Sequence, residues 1–198
     1  MKVIGFGAAL VDKQFLIKDD ALNDLGIEKG LMTLISEEEQ NELLTFLKGE
    51  NYDQISSCGG SATNSIYAAA ALGTSSGFIG KVAQDEDGEI YNSDLKDNNV
   101  EISNCITSSI GKTGNCIVLI TPDAERTMNT YLGVSSETKF SEINFEKLSS
   151  ANLLFMEAYV VTSSDTKDTA EKLIKSCHES GIKIALSLSD PGIVAGFK

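Results

Sequence analysis

The chain has 198 residues and carries 16 Lys and Arg against 29 Asp and Glu, so its formal net charge is −13. Hydrophobic residues make up 41% and charged residues 23%, which is typical of a globular protein rather than a disordered or fibrous one. The negative charge argues against nucleic acid polymers and anionic membranes as partners, because proteins bind those polyanions through Lys and Arg. No apolar run approaches the roughly 20 residues that span a bilayer.

The apolar periodicity predicts strands that alternate with helices, followed by a meander in the middle of the chain. A strand at 3–7, a second at 14–18, a helix at 20–25 and a strand at 31–35 come first. A helix begins after Ser36, where Glu39 completes a capping box, and an Ala-rich, buried helix is expected at 61–72. A strand at 76–82, a helix at 87–98, the meander at 101–132, a strand at 153–156, a helix at 165–180 and a strand at 182–188 complete the prediction.

This alternation predicts a three-layer α/β/α body with a mainly parallel sheet. The antiparallel pieces fit such a sheet poorly, so we assign them to a small β lid. The predicted body comprises 1–12, 36–100 and 133–198, and the discontinuous lid comprises 13–35 and 101–132.

The cysteines and the single histidine do not form a metal-binding pattern. Cys58, Cys105, Cys116 and Cys177 are widely spaced, and His178 is the only histidine, so no metal site is expected. Free thiols in a chain with no targeting segment favour the cytoplasm, although four cysteines could also pair. We expect no catalytic role for His178.

Two glycines precede the Ala-rich helix and are candidates for ligand binding. Gly59 and Gly60 would let the backbone approach a ligand closely, and Asn64 on the first helical turn can both donate and accept hydrogen bonds. The alternative is a tight strand-to-helix turn in which Asn64 makes a local cap.

Three charged residues are further candidates. An ionised Asp12, after the first strand, could accept hydrogen bonds from two neighbouring sugar hydroxyls, or it could be a solvated loop acid. Arg126 could bind a phosphate or pair with Glu125 or Asp123 on the surface. Glu157 ends an apolar strand, which is where open α/β sheets bind ligands.

Two glycine patterns point elsewhere and are weaker. Gly5-Phe6-Gly7 begins a dinucleotide-binding pattern, but Leu10 stands where a third glycine or alanine is needed, so a nicotinamide site is a minor alternative. Gly111-Lys112-Thr113-Gly114 lacks the upstream glycine of a P-loop and is interpreted as a turn.

A longer pattern begins at the glycine pair. Cys58 to Ile66 reads Cys-Gly-Gly-Ser-Ala-Thr-Asn-Ser-Ile, the Ala-rich segment ends in Leu72-Gly73, and Ile79 to Gly88 follows Ile-Gly-x-Val-x-x-Asp-x-x-Gly. Together they resemble the PfkB (ribokinase-like) family of carbohydrate and nucleoside kinases. The segments at 113–116, 125–132, 156–159 and 186–191 are most similar to its adenosine-kinase-like branch.

The resemblance implies a ribokinase-like fold and phosphoryl transfer from ATP, with Mg²⁺, to a hydroxymethyl group of a nucleoside or ribose-type sugar. The positions that match the family's sugar-binding residues are Asp12, Gly59, Gly60, Asn64 and Glu157. The resemblance places Cys116, Met128 and Leu132 in the nucleoside pocket and Arg126 near the phosphates, and it suggests a homodimer through the lid.

The sequence departs from the family pattern in two ways. Ala8-Ala9 stands where many relatives carry an Asn that contacts the substrate. The family's Gly-Ala-Gly-Asp loop, which supplies the general base and the anion hole, does not occur before Lys198, so the chain resembles only the N-terminal part of the fold. We therefore expect the 198 residues alone to be inactive, and the resemblance assigns ATP and Mg²⁺ to the complete enzyme and neither of them to this chain alone; a non-catalytic ligand-binding or assembly fragment is the alternative.

Overall fold

A five-stranded parallel sheet forms the centre of the protein, for which a computed structural model describes residues 1–197. All neighbouring strands in this body sheet run parallel, so the chain must cross over between them. The strand order is β10 (Lys183–Ser187), β9 (Leu153–Glu157), β1 (Lys2–Phe6), β5 (Ser75–Ala83) and β6 (Val100–Ser108).

Helices cover both faces of the body sheet. Successive side chains of a strand point to opposite faces, so Val3 and Ile4 belong to two different cores. On the Val3 side lie α3 (Ser61–Ala71) and α4 (Glu86–Asp97), and on the Ile4 side lie α5 (Phe145–Ser149) and α6 (Ser164–Glu179). The predicted three-layer α/β/α body is confirmed. A short helix, α7 (Pro191–Gly196), follows β10.

A second, mixed sheet of five strands forms the lid. Its order is β3 (Met32–Leu34), β8 (Arg126–Gly133), β7 (Thr113–Ile120), β2 (Leu10–Leu16) and β4 (Gln54–Gly59). Two helices, α1 (Asp19–Leu25) and α2 (Glu37–Gly49), cover one face, where Phe15, Ile117 and Leu119 pack against residues such as Leu43 and Leu47. The other face of the lid sheet is free of helices from this core and turns toward the site described below.

The predicted division differs from the structure at four elements. The predicted body included 1–12, but residues 10–12 begin β2 and pair in the lid sheet. The predicted body included 36–100, but β4 pairs antiparallel with β2 in the lid sheet, and α2 packs on the lid through Leu43 and Leu47. The predicted lid began at 101, but β6 pairs with β5 in the body sheet. Apolar patterning shows which residues are buried and not which strand they join, and for this reason these boundaries were wrong. The division into two domains as such stays a prediction.

The sequence predicted the ends of the helices better than it predicted which helices are buried. The capping box is present, since Glu39 N–H donates to the Ser36 hydroxyl and Ser36 N–H donates to the Glu39 carboxylate. Gly26 ends α1 in the left-handed conformation, at a φ of 64°. The expectation of a buried α3 was wrong, because only its inner side is buried and Leu72 beyond its end is 88% exposed.

Two further expectations concern the cysteines and the membrane. The four cysteines are all free thiols. Within residues 1–197, no helix has both the length and the apolar character that a bilayer crossing requires.

An acidic helix start joins the lid to the body. Asp85 caps α4 by accepting the Gly88 N–H, and it also accepts the N–H and the hydroxyl of Thr113 at the start of β7. Two residues further on, in the first turn of α4, Asp87 forms an ion pair of 2.7 Å with Lys13 of β2. Both partner strands belong to the lid sheet, so α4 fixes the lid relative to the body.

Replacing Asp85 with Ala should therefore lower the free energy of unfolding by about 2–4 kcal/mol, because a helix cap and two cross-element hydrogen bonds are lost together. The measurement is urea denaturation. Asp97→Ala, at the exposed end of the same helix, is the matched control and should change stability by less than about 0.5 kcal/mol. An equal effect of the two substitutions would contradict this role of Asp85.

Candidate functional site

A row of side chains crosses the free face of the lid sheet. Strand pairing places Asp12 opposite Ser57 on one side and Cys116 on the other, and Cys116 lies opposite Thr130. Directly paired residues point to the same face of a sheet, so these side chains form one polar row. Leu34, which pairs with Thr130, ends the row on the β3 strand.

The glycine pair lies against the acid of this row. A Cβ atom on Gly59 would overlap the Asp12 carboxylate, so that carboxylate occupies the space that a side chain at 59 would fill. Gly60 has a φ of 95°, and a Cβ there would come within 2.5 Å of the Ala8 carbonyl oxygen. Asp12 and the glycine pair therefore lie against each other where the lid sheet meets the body, a junction referred to below as the cleft, and Gly60 is required there by its positive φ and its close approach to Ala8.

The Asp12 carboxylate is poised to accept hydrogen bonds. Burial raises its pKa to about 6, and the positive charge of Arg126 offsets part of that shift. Among residues 1–197, the causes of this shift are burial and the charge of Arg126, and no hydrogen bond to the carboxylate is among them. A half-buried carboxylate without a protein donor is costly to maintain, and such groups cluster at functional sites.

Arg126 is on the same strand face as the polar row. Arg126 pairs with Ile120. It shares one face of β8 with Met128 and Thr130, which follow at intervals of two residues, and it is exposed to solvent. Asp123, one of its expected surface partners, instead forms an ion pair with Lys29 at 2.8 Å. The guanidinium thus remains close enough to lower the pKa of Asp12 and is available to a ligand.

A cavity of about 340 Å³ adjoins the far end of the polar row. Leu34, Leu132 and Val134 give it apolar walls, and Thr130 belongs both to the cavity and to the row. Beside it, Cys116 accepts a hydrogen bond of 3.3 Å from the Thr130 hydroxyl, and burial raises the pKa of Cys116 to about 11. Cys116 is therefore a neutral thiol at physiological pH. Half-buried Met128 lies in the next row of the same face.

Two predicted residues occupy different surroundings. Asn64 is exposed on the first turn of α3, on the helix that follows the glycine pair. Glu157 is only 1% exposed, and protein donors occupy both of its carboxylate oxygens: Ala8 N–H at 2.7 Å, Ala62 N–H at 2.7 Å and the Ser61 hydroxyl at 2.5 Å. Burial raises the pKa of Glu157, and these hydrogen bonds partly offset that shift.

Tyr159 lies near Glu157 and Cys116 and was not among the residues predicted from the sequence. Burial raises its pKa to about 12, with smaller contributions from the neighbouring Asp190, Glu157 and Cys116. The available signal was its position, two residues beyond Glu157 at the carboxyl end of β9, where open α/β sheets place ligands. Thr130 and Ser57 were also missed, because their proximity to Asp12 depends on strand register.

The described residues do not make a metal site by themselves. Among residues 1–197, no three His, Cys, Asp or Glu side chains are grouped so that they could hold a metal ion. No role of Mg²⁺ is therefore assigned to this part of the chain.

Comparison with known proteins decides the family. Residues 32–195 match the pfkB family carbohydrate kinase. The chain belongs to this family. Membership of this family accounts for the parallel body sheet and the lid.

Relatives of several specificities are similar to this chain. It is 29% identical over 126 residues to a probable fructokinase-6 of Arabidopsis thaliana, covering 63% of this chain and 33% of the relative. It is 28% identical over 139 residues to an ATP-dependent ribose-1-phosphate kinase of Halopiger xanaduensis, covering 70% and 44%. The crystal structure of an adenosine kinase from Sinorhizobium meliloti superposes with a TM-score of 0.88 at 29% identity, covering 99% and 59%. The chain therefore spans between one third and three fifths of the length of these proteins.

Substitution of Asp12 by Asn should stabilise the protein. Folding raises the pKa of Asp12, so the ionised carboxylate destabilises the folded state. This loss of stability develops as the pH rises from about 4 to about 6. At pH 8 we expect Asp12→Asn to raise the free energy of unfolding by about 1–3 kcal/mol, from about 1.4 kcal/mol per pKa unit. At pH 3 the two proteins should be equally stable. A lower stability of Asp12→Asn than of the wild type at pH 8 would contradict the conclusion that the Asp12 carboxylate has no protein donor.

Proposed function

We propose that this chain forms the sugar-binding side and the lid of a kinase that transfers a phosphoryl group from ATP to a hydroxymethyl group of a nucleoside or ribose-type sugar. The observation that carries the proposal is the Asp12 carboxylate, which is half-buried, without a protein donor, and in contact with Gly59. Two neighbouring hydroxyls of a ribose would supply the missing donors, since an ionised carboxylate accepts from both.

The shape of the lid favours a nucleoside over a free sugar. The polar row leads from Asp12 through Cys116 to Thr130, and the cavity of about 340 Å³ continues beyond it. Leu34, Leu132 and Val134 offer apolar walls to a flat heterocycle, and Met128 lies beside the row. A ribose held at Asp12 would thus direct its base along the lid sheet, where a free sugar would leave the cavity empty.

The chemistry assigned to this part of the chain is positioning and charge neutralisation. Phosphoryl transfer depends mainly on holding the acceptor hydroxyl in line and on balancing charge. Asp12, Gly59, Gly60 and Asn64 would hold the sugar, and Arg126 would approach the phosphates across the cleft. ATP, when bound, supplies the phosphoryl group. We assign no general base within residues 1–198.

Calorimetric titration of the chain with adenosine tests this proposal. Asp12→Asn should weaken binding about 100-fold, or roughly 3 kcal/mol, because two charge-assisted hydrogen bonds are lost. Gly59→Ala should weaken it similarly while leaving stability almost unchanged, because Gly59 has an ordinary backbone conformation and the added methyl group displaces only the flexible Asp12 side chain. Asp24→Asn on the exposed side of α1 is the matched control. Equal affinity of all four proteins would contradict the proposed site.

Binding should also depend on pH through Asp12. Because the pKa of this carboxyl group is about 6, protons compete with the sugar hydroxyls below that pH. We expect affinity to be constant from pH 7 to 8 and to fall about tenfold per pH unit below 6, as expected for one competing proton. Asp12→Asn should remove this dependence, and a pH-independent wild-type affinity would count against ionised Asp12 as the ligand-binding form.

Ligand binding or assembly without catalysis is the second candidate. Among the described residues, strand β10 has β9 as its single neighbour, and Leu186 on this strand and Leu188 just beyond it are 52% and 63% exposed. Unpaired edges and exposed apolar residues favour association between copies. This candidate predicts a mass above 21.1 kDa by light scattering and no nucleoside-dependent ATP turnover. Turnover that Asp12→Ala abolishes would exclude it.

A further inference from the structure

One buried carboxylate holds together the two chain segments that form the sugar cleft. Oε1 of Glu157 accepts the Ala8 N–H at 2.7 Å, and Oε2 accepts the Ala62 N–H at 2.7 Å and the Ser61 hydroxyl at 2.5 Å. With 1% of the residue exposed, such a carboxylate is tolerated only because hydrogen bonds replace its water. Glu157 therefore connects the end of β9 to two other segments.

These two segments carry the proposed sugar-binding groups. Ala8 lies in the link between β1 and β2, four residues before Asp12, and Ala62 follows Gly60 by two residues in the first turn of α3. The N-cap of α3 is Gly60, which has no side chain to cap the helix. Glu157 acts in its place, and its negative charge is favourable at the positive end of a helix.

The Glu157 carboxylate occupies the space beside Gly7 that a side chain at that position would need. A Cβ on Gly7 would lie 2.6 Å from Cδ of Glu157 and 2.8 Å from Cβ of Ala62. Three protein donors already fill three of the roughly four acceptor positions of the carboxylate, and with 1% of the residue exposed a sugar hydroxyl has little access to the fourth. Glu157 therefore has the geometry of a structural link between two chain segments and not that of a ligand-binding acid.

We propose that Glu157 is a positioning residue, which sets Asp12 against the glycine pair and does not contact the sugar itself. The inference rests on the proposed function for its consequence in binding. Its structural part, the fixing of Ala8 and Ala62, is independent of any ligand and can be tested without one.

The experiment compares the wild type with Glu157→Gln and Ser61→Ala by amide hydrogen exchange in NMR and by adenosine titration. In Glu157→Gln one carboxylate oxygen becomes an NH₂ group that cannot accept, so we expect exchange at Ala8 or Ala62 to accelerate at least tenfold and adenosine affinity to fall about tenfold. Ser61→Ala removes only the hydroxyl donor and should have a smaller effect in the same direction. The matched control, Glu142→Gln, loses a carboxylate that accepts from Lys81 and from the Lys139 N–H outside the cleft, and should leave affinity unchanged.

Two results would overturn the positioning role. One is a lower adenosine affinity in Glu157→Gln with unchanged exchange at Ala8 and Ala62, which would indicate direct sugar contact. The other is unchanged exchange together with unchanged affinity. If the wild type binds no ribonucleoside, the proposed function fails. Accelerated exchange in Glu157→Gln would still support the structural link between Ala8 and Ala62, and unchanged exchange would refute it.

Discussion

The constraint on which the cleft depends is a carboxylate that the protein does not itself satisfy. Asp12 enters the lid sheet on β2, is half-buried, and has a pKa raised to about 6 by burial. Strand pairing sets it beside Cys116 and Ser57, and Gly59 leaves it the space of a missing side chain. An acceptor held in this way is costly in the free protein. Hydroxyl donors from a ligand would remove that cost, which connects the architecture to the proposed function.

Two joints keep the body and the lid in register around this acid. At one, Asp85 and Asp87 on the first turn of α4 bind Thr113 and Lys13 of the lid. At the other, Glu157 on the body sheet binds the backbone before β2 and after β4. Because both joints lie where strands pass from one sheet to the other, the cleft is defined by cross-sheet contacts more than by either core.

The sequence predicts local structure better than it predicts which strands pair with each other. Capping at Ser36, the glycine end of α1 and the parallel body follow from spacing and residue type, and family resemblance gave the kinase class. Strand partners did not follow: β4 and β6 lie in sheets other than those predicted. The same limit hid Thr130, whose place in the row with Asp12 depends on register. A strand-end carboxylate such as Glu157 is expected to face a ligand, and only three-dimensional contacts show that protein donors occupy it.

The most direct measurement is the titration of the Asp12 side-chain carboxyl carbon by ¹³C NMR, in the free protein and with saturating adenosine. We expect a pKa of about 6 in the free protein, because the carboxyl group is buried, and a clearly lower value with ligand, because hydroxyl donors stabilise the ionised form. The carboxyl resonance of Asp24, which is exposed on α1, should be unaffected by adenosine. An Asp12 pKa that adenosine leaves unchanged would contradict the central claim.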